Sequence, residues 1–113
     1  MYCLIMTIDR REWRKNKKWH RRKDLPSLEY KNGFKFWHKH GLRYIFTEYE
    51  NGTKEYYDTQ NRLHKEDGPA VFYSNGDEEW WHWGIRHRAN GPAVIYGNKQ
   101  YWFMNGRFKK CIV

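Results

Sequence analysis

The sequence predicts an all-β fold, an antiparallel meander of about five hairpin repeats with a period of about 22 residues, forming an elongated twisted ribbon. Three observations predict it. Residues 64–84, HKEDGPAVFYSNGDEEWWHWG, and 87–106, HRANGPAVIYGNKQYWFMNG, follow one plan: His, a basic residue, Gly-Pro-Ala-Val, Tyr, a turn, an aromatic cluster and a closing Gly. Self-similarity at such a period marks a repeat array. The pairs Asn32-Gly33, Asn51-Gly52 and Asn75-Gly76 lie between apolar and aromatic runs, and Asn-Gly there is the strongest short hairpin signal, because both central residues of a type I′ turn need positive φ. Finally, aromatic residues favour strands, and no long 3.6-residue periodicity follows residue 24.

The units fall at about 1–19, 20–42, 43–63, 64–86 and 87–113 in a single domain. The second, HRRKDLPSLEYKNGFKFWHKHG, has Pro26, Tyr30 and Gly41 where later units have Pro69 and Pro92, Tyr73 and Tyr96, Gly84 and Gly106. The third, YIFTEYENGTKEYYDTQNRL, has Ile45 at the Pro position and Asn61 at the Gly position. Four residues before the Gly position stand Trp37, Tyr57, Trp80 and Trp102; seven residues after these come Tyr44, His64, His87 and Lys109. One period earlier, Trp13 and His20 keep this spacing, with Lys17 at the Gly position, so WRKNKKWHRR reads as the back half of a first repeat. Each unit reads as one hairpin, giving about ten short strands. Pro at a strand head needs no ladder donor, and Gly68 and Gly91 tolerate the bend before it.

The units GPAVFYSNGDEEWWHWG and GPAVIYGNKQYWFMNG, each led by His-Lys or His-Arg, resemble the variant MORN-type repeats of tailed-phage and giant-virus proteins. They depart from ordinary MORN repeats, which use a shorter YxGxWxxGxxxGxG unit. The resemblance implies a hairpin array and a viral origin, and brings no catalytic residue with it.

Composition sets further bounds. Leu, Ile, Val and Phe make up under a fifth of the chain, but seven Trp and nine Tyr supply the missing bulk, each burying roughly 150–250 Å². The core should be aromatic, hydrogen-bonded and partly wet. The net charge of +9 is lopsided: residues 10–23 carry nine basic residues and one acid, contributing +8. Cys3 and Cys111 form no CxxC motif or disulfide framework and are expected to be buried or inert thiols. No signal peptide, membrane span or prenylation box is read. The expectation is a soluble protein of a reducing compartment, cytoplasmic in an infected cell if viral.

No nucleophile elbow, HExxH, P-loop or paired-carboxylate signature is present, so the expectation is a protein without catalytic residues, cofactor or metal. His20, His64 and His87 recur at one position, which argues for a structural task such as bonding a turn carbonyl. The ladder Trp13, Trp37, Tyr57, Trp80 and Trp102 is expected to face inward; Trp81, Trp83, Phe36, Tyr56, Tyr101 and Phe103 include the exposed candidates. The favoured function is a non-enzymatic binding protein, a phage accessory or anti-defence protein contacting a host protein through an aromatic and basic face. The candidate residues are Arg14, Lys15, Lys17, Lys18, Arg21, Arg22, Trp81, Trp83, Tyr56, Tyr101 and Phe103. The alternative is nucleic-acid or nucleotide binding through the basic segment, read as a closing strand on the sheet edge or else as a helical arm. A weaker alternative is an anionic membrane surface, since MORN-type repeats have been linked to lipids; the segment lacks the wide apolar face this needs.

Overall fold

A computed structural model describes residues 2–113. The described regular structure is entirely strand: β1 Tyr2–Met6, β2 Arg10–Lys15, β3 Lys18–Trp19, β4 Leu28–Tyr30, β5 Lys35–Lys39, β6 Leu42–Glu48, β7 Lys54–Tyr57, β8 Val71–Phe72, β9 Glu78–Glu79, β10 Trp81–His82, β11 Ile85–Arg86, β12 Val94–Tyr96, β13 Lys99–Met104 and β14 Arg107–Ile112. The chain divides into two units, Met1–Ile45 and Phe46–Val113. In the first, the strand order is β1-β2-β4-β5-β6, with β3 beside the end of β2. In the second it is β7-β8-β9-β12-β13-β14, and β10 and β11 form a separate ribbon. The pairings are antiparallel, for example Glu12 with Leu28, and Val94 with both Glu79 and Tyr101.

Fourteen strands stand where about ten were expected, because most repeats contain a second hairpin turn. The expected type I′ turns are not at the Asn-Gly pairs. There only the glycine takes positive φ, as at Gly33 (99°). Gly33 N–H donates to Tyr30 O, Tyr30 N–H to Phe34 O, and Phe34 N–H to Asn32 Oδ1. This is a three-residue loop, a type I turn followed by a left-handed Gly. The same bonds recur at Tyr49 to Thr53 and Tyr73 to Asp77. The type I′ signature falls instead at the repeat's closing position: φ is 50° and 86° at His40 and Gly41, 47° and 78° at Trp83 and Gly84, and 51° and 82° at Asn105 and Gly106. Asn16 and Lys17 take it too, at 52° and 68°. Primed turns match the right-handed twist of a tight hairpin, and only Gly enters the left-handed region without steric cost.

Register also revises the ladder. Trp13 N–H donates to Ser27 O, Trp80 N–H to Ala93 O, and Tyr56 N–H to Ala70 O. Tyr56, not Tyr57, therefore holds the third position, and at 5% exposure it is the most buried Trp, Tyr or Phe among the residues whose side chains are described. Tyr56 leaves the list of exposed contacts for that reason. The displacement comes from an extra residue between Tyr56 and His64, where Asp58 accepts from the N–H groups of Gln60 and Arg62 and closes a wider loop.

Apolar burial is modest. Leu28 is buried in the first unit; Tyr56, Ala70, Val71, Ala93 and Val94 are buried in the second. Apart from the buried Tyr56 the ladder rings are half-buried, and Trp13, Tyr56, Trp80 and Trp102 are capped by cations. Arg21 lies 3.8 Å from the Trp13 ring centre, Lys65 3.9 Å from Tyr56, Arg88 3.8 Å from Trp80 and Lys110 4.6 Å from Trp102. Arg21 and Arg88 also donate to the carbonyls of Pro26 and Pro92. The basic residues after His20 and His87 thus each clamp the ring behind and the proline ahead, and Lys65 after His64 caps the ring of Tyr56. Cys3 and Cys111 are exposed, so of the expected buried or inert thiols the buried case is excluded, since β1 and β14 each pair along one edge only within their units.

Candidate functional site

The recurrent histidines join repeats. His40 N–H donates to His20 Nδ1 (2.9 Å), Trp83 N–H to His64 Nδ1 (3.0 Å) and Asn105 N–H to His87 Nδ1 (3.0 Å). The next residue of each turn completes the joint: Gly41 N–H donates to Trp19 O, Gly84 N–H to Leu63 O and Gly106 N–H to Arg86 O. A type I′ turn of one repeat thus plugs into acceptors of the repeat before it. A Cβ at Gly106 would stand 2.9 Å from Ile85 Cγ2, so the plug is close-fitting. The partner is a turn amide, not the expected turn carbonyl, and Nδ1 must be unprotonated to accept. Burial, with the positive neighbours His40, Lys15 and Lys39, holds His20 below the usual imidazole range. Lys109 replaces His in the last repeat, where β14 continues with a bulge between the pairs Trp102–Lys110 and Phe103–Phe108.

The most buried acids are also satisfied. Glu12, 3% exposed, accepts from Arg10 Nε (2.8 Å), Arg14 Nη2 (2.8 Å) and Trp19 Nε1 (3.0 Å). Burial alone would raise its carboxyl, but the bonds from Trp19, Arg14 and Arg10 outweigh burial and hold it low. Glu79, 7% exposed, accepts from Tyr73 Oη (2.7 Å), Tyr96 Oη (2.8 Å) and Trp81 Nε1 (2.9 Å). Burial is again outweighed, by Tyr73, Tyr96 and Trp81 together with the Arg86 charge. Glu55 accepts from Tyr49 and Tyr57; burial and this bond push the Tyr57 phenol up to about 12.

The structure separates the candidate contacts into two groups. Arg14, Lys15, Lys17, Lys18, Arg21 and Arg22 belong to the first unit; Trp81, Trp83, Tyr56, Tyr101 and Phe103 belong to the second. The basic segment is strand, turn and loop, not a helix. Its strand β2 is not a free edge: β1 lies on one side and β3 and β4 on the other. Arg14 is committed to Glu12, and Arg21 to Trp13 and Glu29. Lys17, Lys18 and Arg22 are exposed and Lys15 is half-buried. Counted by unit, the charge divides fully: residues 1–45 carry thirteen basic residues and four acids, for +9, and residues 46–113 carry nine of each, for zero.

In the second unit, Arg86 lies 5.1 Å from the Trp81 ring centre and 5.5 Å from that of Phe103, and Phe108 meets Phe103 edge-on at 5.7 Å. Arg86 Nε is buried without a hydrogen-bond partner among the described residues. Tyr96 and Tyr101 pack edge to face at 6.4 Å. Trp83, 54% exposed, stands apart in its turn, stacked on His64 at 4.9 Å. Sequence reasoning missed Arg86 and Phe108; the pairing of Trp81 with Arg86 across a type I′ turn was the available signal.

Among the described residues, no cluster of His, Cys, Asp and Glu could hold a metal ion, and no helix is long and apolar enough to cross a membrane. Comparison with known protein families, curated proteins and solved structures finds no match for this chain.

Proposed function

We propose that the chain is a non-enzymatic binding protein that contacts a partner protein through the aromatic surface of its second unit. The observation that supports this most is the cluster of Trp81, Arg86, Phe103 and Phe108 beside Tyr96 and Tyr101, in a unit of zero net charge. Trp, Tyr, Phe and Arg are the residue types enriched at interface centres, while Lys and Glu are depleted there. The structural bonds of the repeat histidines and of Glu12 and Glu79 also favour a binding role over catalysis. The repeat resemblance gives this reading its setting, a phage accessory or anti-defence protein acting on a host protein. A tagged full chain and its Trp81→Ala, Phe103→Ala variant are used to capture partners from host lysate, and any captured protein is then measured in purified form. The reading expects a partner whose affinity drops at least tenfold in the variant. Unchanged affinity, or no partner at all, would overturn it.

A second reading, nucleic-acid binding by the first unit, is favoured by one specific observation: all of the net charge lies there.

A further inference from the structure

We infer that the first unit binds the phosphate backbone of single-stranded nucleic acid at its internal repeat joint, through Lys15, Lys17, Lys18 and Lys39. This rests on the second reading above and places its site.

The cluster is built against its own stability. Lys15 and Lys18 are direct cross-strand partners, an arrangement in which like charges repel. The Lys18 stem crosses Gly41, the plug of the joint, at 3.7 Å from the position of a Cβ there. Lys39 pairs with Leu42 across the same type I′ turn, and the charges of Lys15 and Lys39 both bear on His20. Lys17 stands where Gly41, Gly84 and Gly106 stand in later repeats, yet keeps a φ of 68°. A side chain in that conformation is strained, and retained strain gathers at functional positions. The corresponding joint of the second unit differs: His64 Nε2 lies 3.1 Å from Glu66 Oε1, whereas the charges of His40, Lys15 and Lys39 act on His20.

Four cations about one joint fit a ligand with closely spaced, permanent negative charge, as phosphodiesters have. A single strand fits better than a duplex because the joint also offers one flat ring. His40 is exposed and stacks at 4.3 Å on the buried His20. Successive bases stack on such platforms only when unpaired.

The test uses the full chain and fluorescence anisotropy with labelled single-stranded DNA and RNA, the matching duplexes, and heparin and polyglutamate as competitors, across a salt series. The expected result is single-strand binding that weakens steeply with salt. In Lys15→Ser, Lys18→Ser, Lys39→Ser it should weaken at least tenfold, with the log–log salt slope shallower by about 2. Arg107→Ser, Lys109→Ser in the second unit should change affinity less than twofold. Lys17→Gly should weaken binding while raising the melting temperature, a pairing that a purely structural role for Lys17 does not produce. Circular dichroism confirms the fold of each variant. Retained affinity in the triple variant overturns the placement and leaves the nucleic-acid reading standing. No binding of any nucleic acid at about 50 mM salt overturns both. A preference for duplex, or for polyglutamate or heparin over the oligonucleotide, overturns the single-strand assignment.

Discussion

Glu12 and Glu79 hold the same place in their repeats, on a back strand and opposite an apolar residue of the next front strand, Leu28 or Val94. Both are buried and both accept from three side chains, one of them an indole. Their other donors differ in kind. Glu12 takes two guanidinium groups; Glu79 takes two phenols. The first unit therefore settles a buried carboxylate with cations, and the second with neutral hydroxyls. One hairpin plan thus accommodates two electrostatic characters, +9 and zero, without altering the backbone device.

Removing each carboxylate sharpens this comparison and should give the largest effects. Glu79→Ala leaves two phenols and an indole without their acceptor, removes the negative charge near the half-buried Arg86, and should cost about 3 kcal/mol of stability. Glu12→Ala strands arginines that can turn to solvent and should cost less, about 2 kcal/mol. Urea unfolding of both variants measures the difference, and an equal or reversed order would break the distinction between the two sockets.

The histidine joints come next. His87→Ala removes the acceptor of Asn105 N–H and should cost about 1–2 kcal/mol, seen as faster hydrogen exchange at Asn105 and Gly106. A loss no greater than that of a surface substitution would show that the Gly106 bond to Arg86 O suffices alone.

Acidification acts on the joint at His20 and on two further histidines, His38 and His82. His20, His38 and His82 are each held below the ordinary imidazole range, chiefly by burial. A group with a depressed folded pKa binds its proton more readily when unfolded. Its contribution is therefore complete above about pH 6.5 and declines as pH falls through and below that value. Glu12 and Glu79, also depressed, add a second decline below about pH 4.5. Thermal melts from pH 8 to about pH 2 should show stability falling in two stages; a flat profile between pH 7 and pH 5 would contradict the role of the histidines.

The smallest effect belongs to the ring clamps. Arg88→Ala exposes the face of Trp80 and should cost about 0.5–1 kcal/mol. Arg21→Ala should cost slightly more, because Arg21 also pairs with Glu29.

Much of this was legible in the sequence. The spacing of Trp13 to His20 and Trp80 to His87 placed the basic segment inside the array as strand and turn, and the recurrence of His marked a structural role. What was misread depended on backbone geometry that residue types leave open. Asn-Gly suits either a type I′ turn or a type I turn with a left-handed Gly, and only the flanking register decides. Tyr56 and Tyr57 are adjacent and alike, so the extra residue before His64 could be placed on either side of the ladder position. The joint itself was out of reach, because His87 and Asn105 lie eighteen positions apart and meet through a backbone N–H. The division of charge was half visible: residues 10–23 stood out, but the boundary that makes the second unit neutral comes from the fold.

The division of function between the two units is tested most directly by amide and indole NMR shifts of the ¹⁵N-labelled full chain, titrated with a single-stranded oligonucleotide. The account predicts shifts at Lys15 to His20 and at Lys39 to Gly41, with the Trp81 and Trp83 indole signals unmoved. Shifts centred on Trp81, Arg86 and Phe103, with the lysine joint silent, would contradict it.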